Sequence, residues 1–404
     1  MTSPKPLGQV EFIALIAMLF ATIAFSIDAM LPALPRIAAE LSPADPNRAQ
    51  LILTSFVMGM GFGTLVAGPL SDSFGRKTVI VAGALLYCVA ALFAYVSTSL
   101  EGVLLARFVQ GIGAAGPRVV SLALVRDLYK GRDMARIVSF AMMIFTLVPA
   151  IAPFVGQAII SGFGWRSVFL AFLGFSLVST LWLVWRQPET LPRTARRSFA
   201  ASALWLAFKD VLSFRVVRLS ILAQTLAFAA LFATLSSTQP IFDQTFGLAD
   251  QFPAYFAAIA ILAGSASLLN AALVGRLGMR KLVAATFATQ IVLSGGMAAL
   301  HGLHLLPEGL QFPSYFLWTV GVFFMAGMTL GNLNALALEP VGHVAGMAAS
   351  VVGSTATVLS VVLAVPVGLM FQGTPVPLMV AVTLFSCGGY LIMRQISRGT
   401  SAPA

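Results

Sequence analysis

The sequence predicts an all-α membrane protein of twelve transmembrane helices arranged as two pseudo-symmetric six-helix bundles. Three observations predict it. The 404-residue chain is 59% hydrophobic and only 9% charged, whereas ordinary soluble domains carry roughly a quarter charged residues, so there are too few charges to coat a water-soluble fold. Its apolar residues come in runs of about 20, the length a helix needs to cross ~30 Å of hydrocarbon. Nineteen of its 24 Lys and Arg residues, among them Lys5, Arg197 and Arg398, fall at the N-terminus, the even-to-odd connections and the C-terminus. Those places share one side of the membrane, and the positive-inside rule puts both termini in the cytoplasm. The net charge of +10 therefore reflects topology, and no nucleic-acid partner is expected.

Charge, Pro and Gly clusters separate the runs in order. The first, 12–33, is long, carries Asp28 and lacks a small-residue cleavage site, so it reads as a retained span. The second, 50–69, ends at Gly68 and Pro69, and a basic loop leads to the third, 78–98. The fourth, 102–126, holds Arg107 and Arg118 in its interior and ends at Arg126, the fifth, 137–161, holds Pro149 and Pro153, and the sixth is 166–186. The longest polar connection follows, 187–216, a cytoplasmic linker in which 200–208 is apolar but too short to cross and suits a surface amphipathic helix. Six more runs complete the chain: 217–240, 253–274, 282–300, 313–336, 344–370 and 376–394. The domain reading is thus a first bundle over 1–186, the linker, and a second bundle with a short tail over 217–404. Arg76 and Lys77 after the second span have an echo in Arg280 and Lys281 after the eighth, as expected of duplicated halves. A bacterial inner membrane is the expected location and a monomer in the lipid bilayer the expected state.

Few residues carry chemistry. Cys88 and Cys387 lie within apolar runs, where a thiol packs as a small residue. His301 and His304 share a short loop and His343 stands near another, with no carboxylate or Cys beside them, so no metal site is expected. No P-loop, H-E-x-x-H or nucleophile elbow appears, so an enzyme is not expected and no cofactor is required. Asp28 and Arg107 are different: an ionised group inside a span costs several kcal/mol and faces a polar cavity or a partner. With the first and fourth spans antiparallel, the two lie at similar depth and are natural partners. Burial favours the neutral carboxyl and the arginine favours the carboxylate, a balance that a bound cargo can tip. A static ion pair that only fixes packing is the alternative. Arg118 follows Arg107 by eleven residues, which puts both on nearly one helix face, ~16 Å apart along the axis. It is either a cavity ligand that favours anionic, zwitterionic or neutral cargo, or a residue that snorkels or pairs with Glu339. Gln110, Gln224, Gln239, Asn270, Asn332 and Asn334 are candidate cavity donors, or else interhelical glue.

The loop GPLSDSFGRK (68–77) meets the pattern G-x-L-x-D-x-x-G-R-K in full. Gly68 and Pro69 end a helix, Gly75 permits a backbone closed to other residues, and Asp72 can accept from Arg76. It resembles the signature loop between spans two and three of the major facilitator superfamily, which implies that Gly68, Asp72, Gly75, Arg76 and Lys77 form a cytoplasmic gating latch. LLARFVQGIGAAG (104–116) is similar to the fourth-span motif of proton-driven members, with Arg107, Gln110 and Gly111 matching. VPAIAPFVGQ (148–157) resembles the antiporter motif, with Pro149, Pro153 and Gly156, although Ala152 and Gln157 stand where glycines are usual. DAMLPALP (28–35) resembles a segment of the bicyclomycin-resistance/CflA branch of the twelve-helix drug:proton antiporters. GWRSVF (164–169), VRD (125–127), PETLP (188–192) and the small residues of 345–350 match in order. The resemblance implies a secondary transporter that exports small amphipathic molecules by alternating access, driven by a proton gradient through Asp28 and Arg107. An importer or facilitator of a small metabolite on the same fold is the alternative, and a non-transporting sensor a more distant one.

Overall fold

The computed structural model describes residues 7–196, 199 and 201–398, with side chains at all of these except 135, 146, 201, 203, 204, 207, 342–345, 397 and 398. Lys5 and Arg197 fall outside the described residues, and the side chains of His343 and Arg398 outside the described side chains. Among the described residues there are helices and no strands, and twelve of the helical segments are long and apolar enough to cross a membrane. The chain divides into two compact units, residues 1–44 with 55–206, and 45–54 with 207–404.

In the first unit, α1 (Gln9–Asp28) stops at Asp28, a 3-10 turn covers Leu31–Ala33, and α2 (Leu34–Leu41) continues the span. The predicted single helix is broken here because Pro32 and Pro35 have no N–H to give to the preceding turn and Pro fits best at a helix start. α3 (Leu51–Phe74), α4 (Arg76–Val96), α5 (Leu100–Leu128), α6 (Gly131–Phe163) and α7 (Ser167–Arg186) follow. α3 does not end at Gly68 and Pro69 as the sequence suggests; it runs through Pro69 to Phe74. Pro69 removes a single helix hydrogen bond, that to Leu65 O, and beyond it Ser71 Oγ donates to Gly68 O and Ser73 Oγ to Pro69 O. The turn comes at Gly75, whose φ of 105° is the left-handed region that only glycine adopts without strain. α6 begins six residues before the predicted start of its apolar run, through exposed Arg132, Asp133 and Arg136, because a helix need not stop where its hydrophobicity does. α1 packs on α5, α6 and α7, and α4 on α5 and α7. Phe12, Leu15, Ile16 and Leu19 of α1 meet Ile80, Val120, Leu124, Ile137 and Leu183 in a buried core.

The boundary between the units falls within α8 (Ala201–Ser213), the short linker helix, where Trp205 and Leu206 are exposed. The second unit contains α9 (Arg215–Pro240), α10 (Phe252–Leu277), α11 (Met279–Gly302), α12 (Glu308–Leu338), α13 (Ala345–Leu369) and α14 (Val376–Arg398). α9 packs on α12, α13 and α14, and α11 on α12 and α14. That is the pattern of the first unit repeated span for span, so the pseudo-symmetry is present in the packing of each unit. The turn before α3, Pro46–Gln50, groups with this unit: Gln50 Nε2 donates to Gly368 O at 3.1 Å and Asn47 Nδ2 to Phe371 O at 2.8 Å.

Candidate functional site

Arg107 is completely buried, one of the largest side chains with no exposure. Its Nη1 donates to Gln110 Oε1 at 2.7 Å and its Nη2 to Ser26 O at 2.9 Å, and the guanidinium lies 4.3 Å from the centre of the Phe56 ring and 5.7 Å from that of Phe172. A desolvated cation over an aromatic face gains about 2 kcal/mol, and the two acceptors answer part of the cost of burial. The contact with Ser26 places the arginine two residues from Asp28 on α1, at the depth the sequence predicts. The direct ion pair is not formed. Asp28 is 5% exposed, the only buried carboxylate among the described residues, and makes no hydrogen bond or ion pair among them. The backbone carbonyl of Ser26, in the last turn of α1 where carbonyls lack intrahelical donors, takes the donor instead. Tyr87 of α4, also buried, hydrogen-bonds Ser26 Oγ and extends the cluster. Gln110 holds Arg107 through its oxygen while its Nε2 finds no partner.

Close helix approach sets this geometry. A Cβ at Gly111 would lie 2.0 Å from Phe56 O, so the glycine after Gln110 lets α5 lie against α3. A Cβ at Gly156 would lie 2.2 Å from Ala29 O, so α6 rests directly on the peptide that follows Asp28. Pro149 and Pro153 lie inside α6 without ending it. Of the predicted antiporter motif, Gly156 lies directly against the backbone next to Asp28.

Arg118 is exposed, although it lies about 27 Å from the start of α5 and about 15 Å from its end at 1.5 Å per residue. Its Nη1 lies 3.4 Å from Met60 Sδ, and it forms no ion pair among the described residues. Glu339, its alternative partner from sequence, lies 3.7 Å from Arg280 Nη2 inside the second unit.

The 68–77 loop is tied into its own unit. Arg76 reaches Asp72 at 2.5 Å and Asp127 at 3.1 Å, and Thr190 Oγ1 also donates to Asp127. Glu189 accepts from the backbone N–H groups of Arg76 and Lys77 at 2.9 and 3.1 Å, so the PETLP segment caps the start of α4, where free amides and the helix dipole favour an anion. Gly68 is interior to α3, and Lys77 Nζ donates to Val184 O. The echo in the second unit is structural too: Gly278 has φ 77° between α10 and α11, and Arg280 pairs with Glu339 beyond the end of α12 as Arg76 pairs with Asp127 at the end of α5. At the other end of the first unit, Glu40 accepts from Trp165 Nε1 at 2.6 Å and Arg166 Nη1 at 2.5 Å, which gives the GWRSVF motif its task.

In the second unit the predicted polar residues are dispersed. Asn332 donates to Asn270 at 2.6 Å and to Met328 O, which joins α12 to α10. Gln224 and Gln239 are buried on α9 with their Oε1 atoms unpartnered, and Asn334 is half-buried. Sequence reasoning missed Tyr87 and Gln50, single polar groups in apolar surroundings that no motif marks. It noted PETLP and GWRSVF but missed the partners of Glu189 and of Trp165 and Arg166, which are distant in the chain.

Two repeat-related six-helix membrane units, with one buried acid beside one buried arginine at a break in the first span, define a polytopic secondary transporter. The Major Facilitator Superfamily model matches residues 14–365, and the chain belongs to that family. It is 28% identical to the bicyclomycin resistance protein homolog of Haemophilus influenzae over 377 residues, 92% of this chain and 91% of that one. It is 36% identical to a chloramphenicol resistance protein of Pseudomonas aeruginosa over 165 residues, 40% of this chain and 39% of that one. Among solved structures, the D-xylose-proton symporter superposes with a TM-score of 0.75 at 15% identity, covering 96% of this chain and 97% of that one, a likeness of fold.

Proposed function

We propose that this chain is a proton-coupled exporter of small amphipathic molecules, of the kind its drug-resistance relatives are named for, working by alternating access. The observation that carries this reading is Asp28: a lone buried carboxylate, two residues from the carbonyl that holds Arg107. An acid without a fixed partner can exchange its proton as the cavity changes, whereas a locked ion pair cannot. On one side of the membrane Asp28 takes a proton and cargo leaves; on the other the proton leaves and cargo binds. Arg107 biases the carboxylate through space and through the α1 backbone. The protein works as a monomer in a bacterial inner membrane, with both termini in the cytoplasm, no cofactor, the proton gradient as its energy source and the 68–77 loop as its cytoplasmic gate.

The test uses proteoliposomes with an imposed pH gradient and chloramphenicol as the probe. The wild-type protein moves the drug opposite to the proton flux, and Asp28→Asn abolishes proton-linked movement while eluting as a folded monomer. Full proton-linked transport by that variant sinks the mechanism, and drug and proton moving the same way refutes export.

A further inference from the structure

We propose that Arg118 is an oxyanion-recognising residue, so that the transporter prefers cargo carrying a carboxylate or similar oxyanion on an apolar body over lipophilic cations. The inference rests on the transport reading and names its substrate class. Arg118 is far from both ends of α5, exposed, and without an ion pair among the described residues. Its open side is not the lipid side. Leu105, an exposed apolar residue of the same helix, stands thirteen positions earlier, which at 100° per residue is about 140° around the helix. Arg107 lies on the face of Arg118 and points into the unit, toward Ser26 of α1 and Phe56 of α3. Arg118 follows it toward Met60 of α3. It therefore opens on the face it shares with Arg107, well around the helix from Leu105.

An uncompensated guanidinium at that depth is costly unless water or a ligand reaches it. Its planar fork matches a carboxylate with two parallel hydrogen bonds. Away from bulk water the attraction is stronger than at a surface. Buried Met60, whose Sδ is a weak acceptor 3.4 Å from Nη1, offsets little of that charge. The local balance of buried charge points the same way. Arg107 is fixed by hydrogen bonds and aromatic rings two residues from Asp28, and when cargo binds to the deprotonated protein that one buried carboxylate among the described residues offsets only one of the two arginine charges. A lipophilic cation entering then meets a net positive charge, and an anion meets an attractive one.

The test is direct binding to the detergent-solubilised full chain, by calorimetry, of three probes with one ring system: 1-naphthoate, 1-naphthamide and 1-naphthylmethylammonium. The wild-type protein is expected to bind naphthoate at least ~10-fold more tightly than the ammonium, about 1.4 kcal/mol. Arg118→Gln is expected to bring that ratio below about 2, and Arg118→Lys, which keeps the charge without the fork, to leave the anion ahead. Equal or tighter binding of the ammonium by wild type overturns the proposal, as does no binding of naphthoate. So does an unchanged ratio in Arg118→Gln. The wild-type preference alone decides the matter if a variant does not fold. Anion binding that depends on Arg118 in a protein without proton-linked flux sustains the site and refutes the transport reading instead.

Discussion

Gly156 is the position where a single added methyl group would press on the backbone next to Asp28. A Cβ there would lie 2.2 Å from Ala29 O, and ordinary contact begins near 3.4 Å, so Gly156→Ala forces α6 and the Asp28–Ala29 break apart by about 1.2 Å. Overpacking of this kind costs about 1–3 kcal/mol. Gly162, six residues along the same helix, has nothing within 4 Å of where a Cβ would stand. Gly162→Ala therefore serves as the paired control, and loses only backbone freedom in the unfolded chain, a gain of about 0.4–1 kcal/mol. Thermal unfolding of the detergent-solubilised protein reads both. At about 2–4 °C per kcal/mol for a unit of this size, Gly156→Ala should fall by several degrees and Gly162→Ala should hold or rise slightly. In proteoliposomes Gly156→Ala should also slow proton-linked transport, because the displaced stretch of chain carries Asp28. Equal melting temperatures and equal transport in the two variants would refute the claim that this glycine positions the acid.

Two further predictions rest on other contacts. Arg107→Lys keeps a buried charge but cannot bond Gln110 and Ser26 together while lying over Phe56; losing one charge-assisted hydrogen bond and part of the ring contact, about 2–4 kcal/mol together, should appear in denaturant unfolding, and an unchanged midpoint would show that the network adds little. Glu189→Ala removes the acceptor for the Arg76 and Lys77 amides, worth about 0.5–2 kcal/mol as a lost cap, and should raise hydrogen exchange at the start of α4 specifically; exchange that stays as slow as in wild type counts against the cap.

The spans were legible because crossing hydrocarbon imposes one rule on every segment, and the basic loops gave the repeat that the packing of each unit displays. Local motifs were legible where their partners are near in sequence, as with Asp72 and Arg76. The break after Asp28 was hidden inside a continuous apolar run, although Pro32 and Pro35 mark it in retrospect. The Asp28 and Arg107 pairing failed by two residues, since depth follows from helix arithmetic while the choice between a carboxylate and a neighbouring carbonyl depends on where the helix ends. Tyr87 and the Glu40 cluster were illegible because they depend on which helices face each other, 61 and about 125 positions apart. Pro69 misled for a related reason: a proline removes one helix hydrogen bond, and a helix inside a membrane protein can keep its course past that loss.

The solitary charge of Arg118 reaches into bioenergetics. Exchange of one proton for a neutral molecule carries one positive charge inward per cycle, and exchange of one proton for a departing monoanion carries two. Each charge draws about 2.3 kcal/mol from every 100 mV of membrane potential, so an anion leaves with about 4.6 kcal/mol of electrical drive per 100 mV. If Arg118 selects the sign of the cargo as proposed, it would also set how steeply the pump answers to voltage, and how far it could work once the pH difference across the membrane has collapsed.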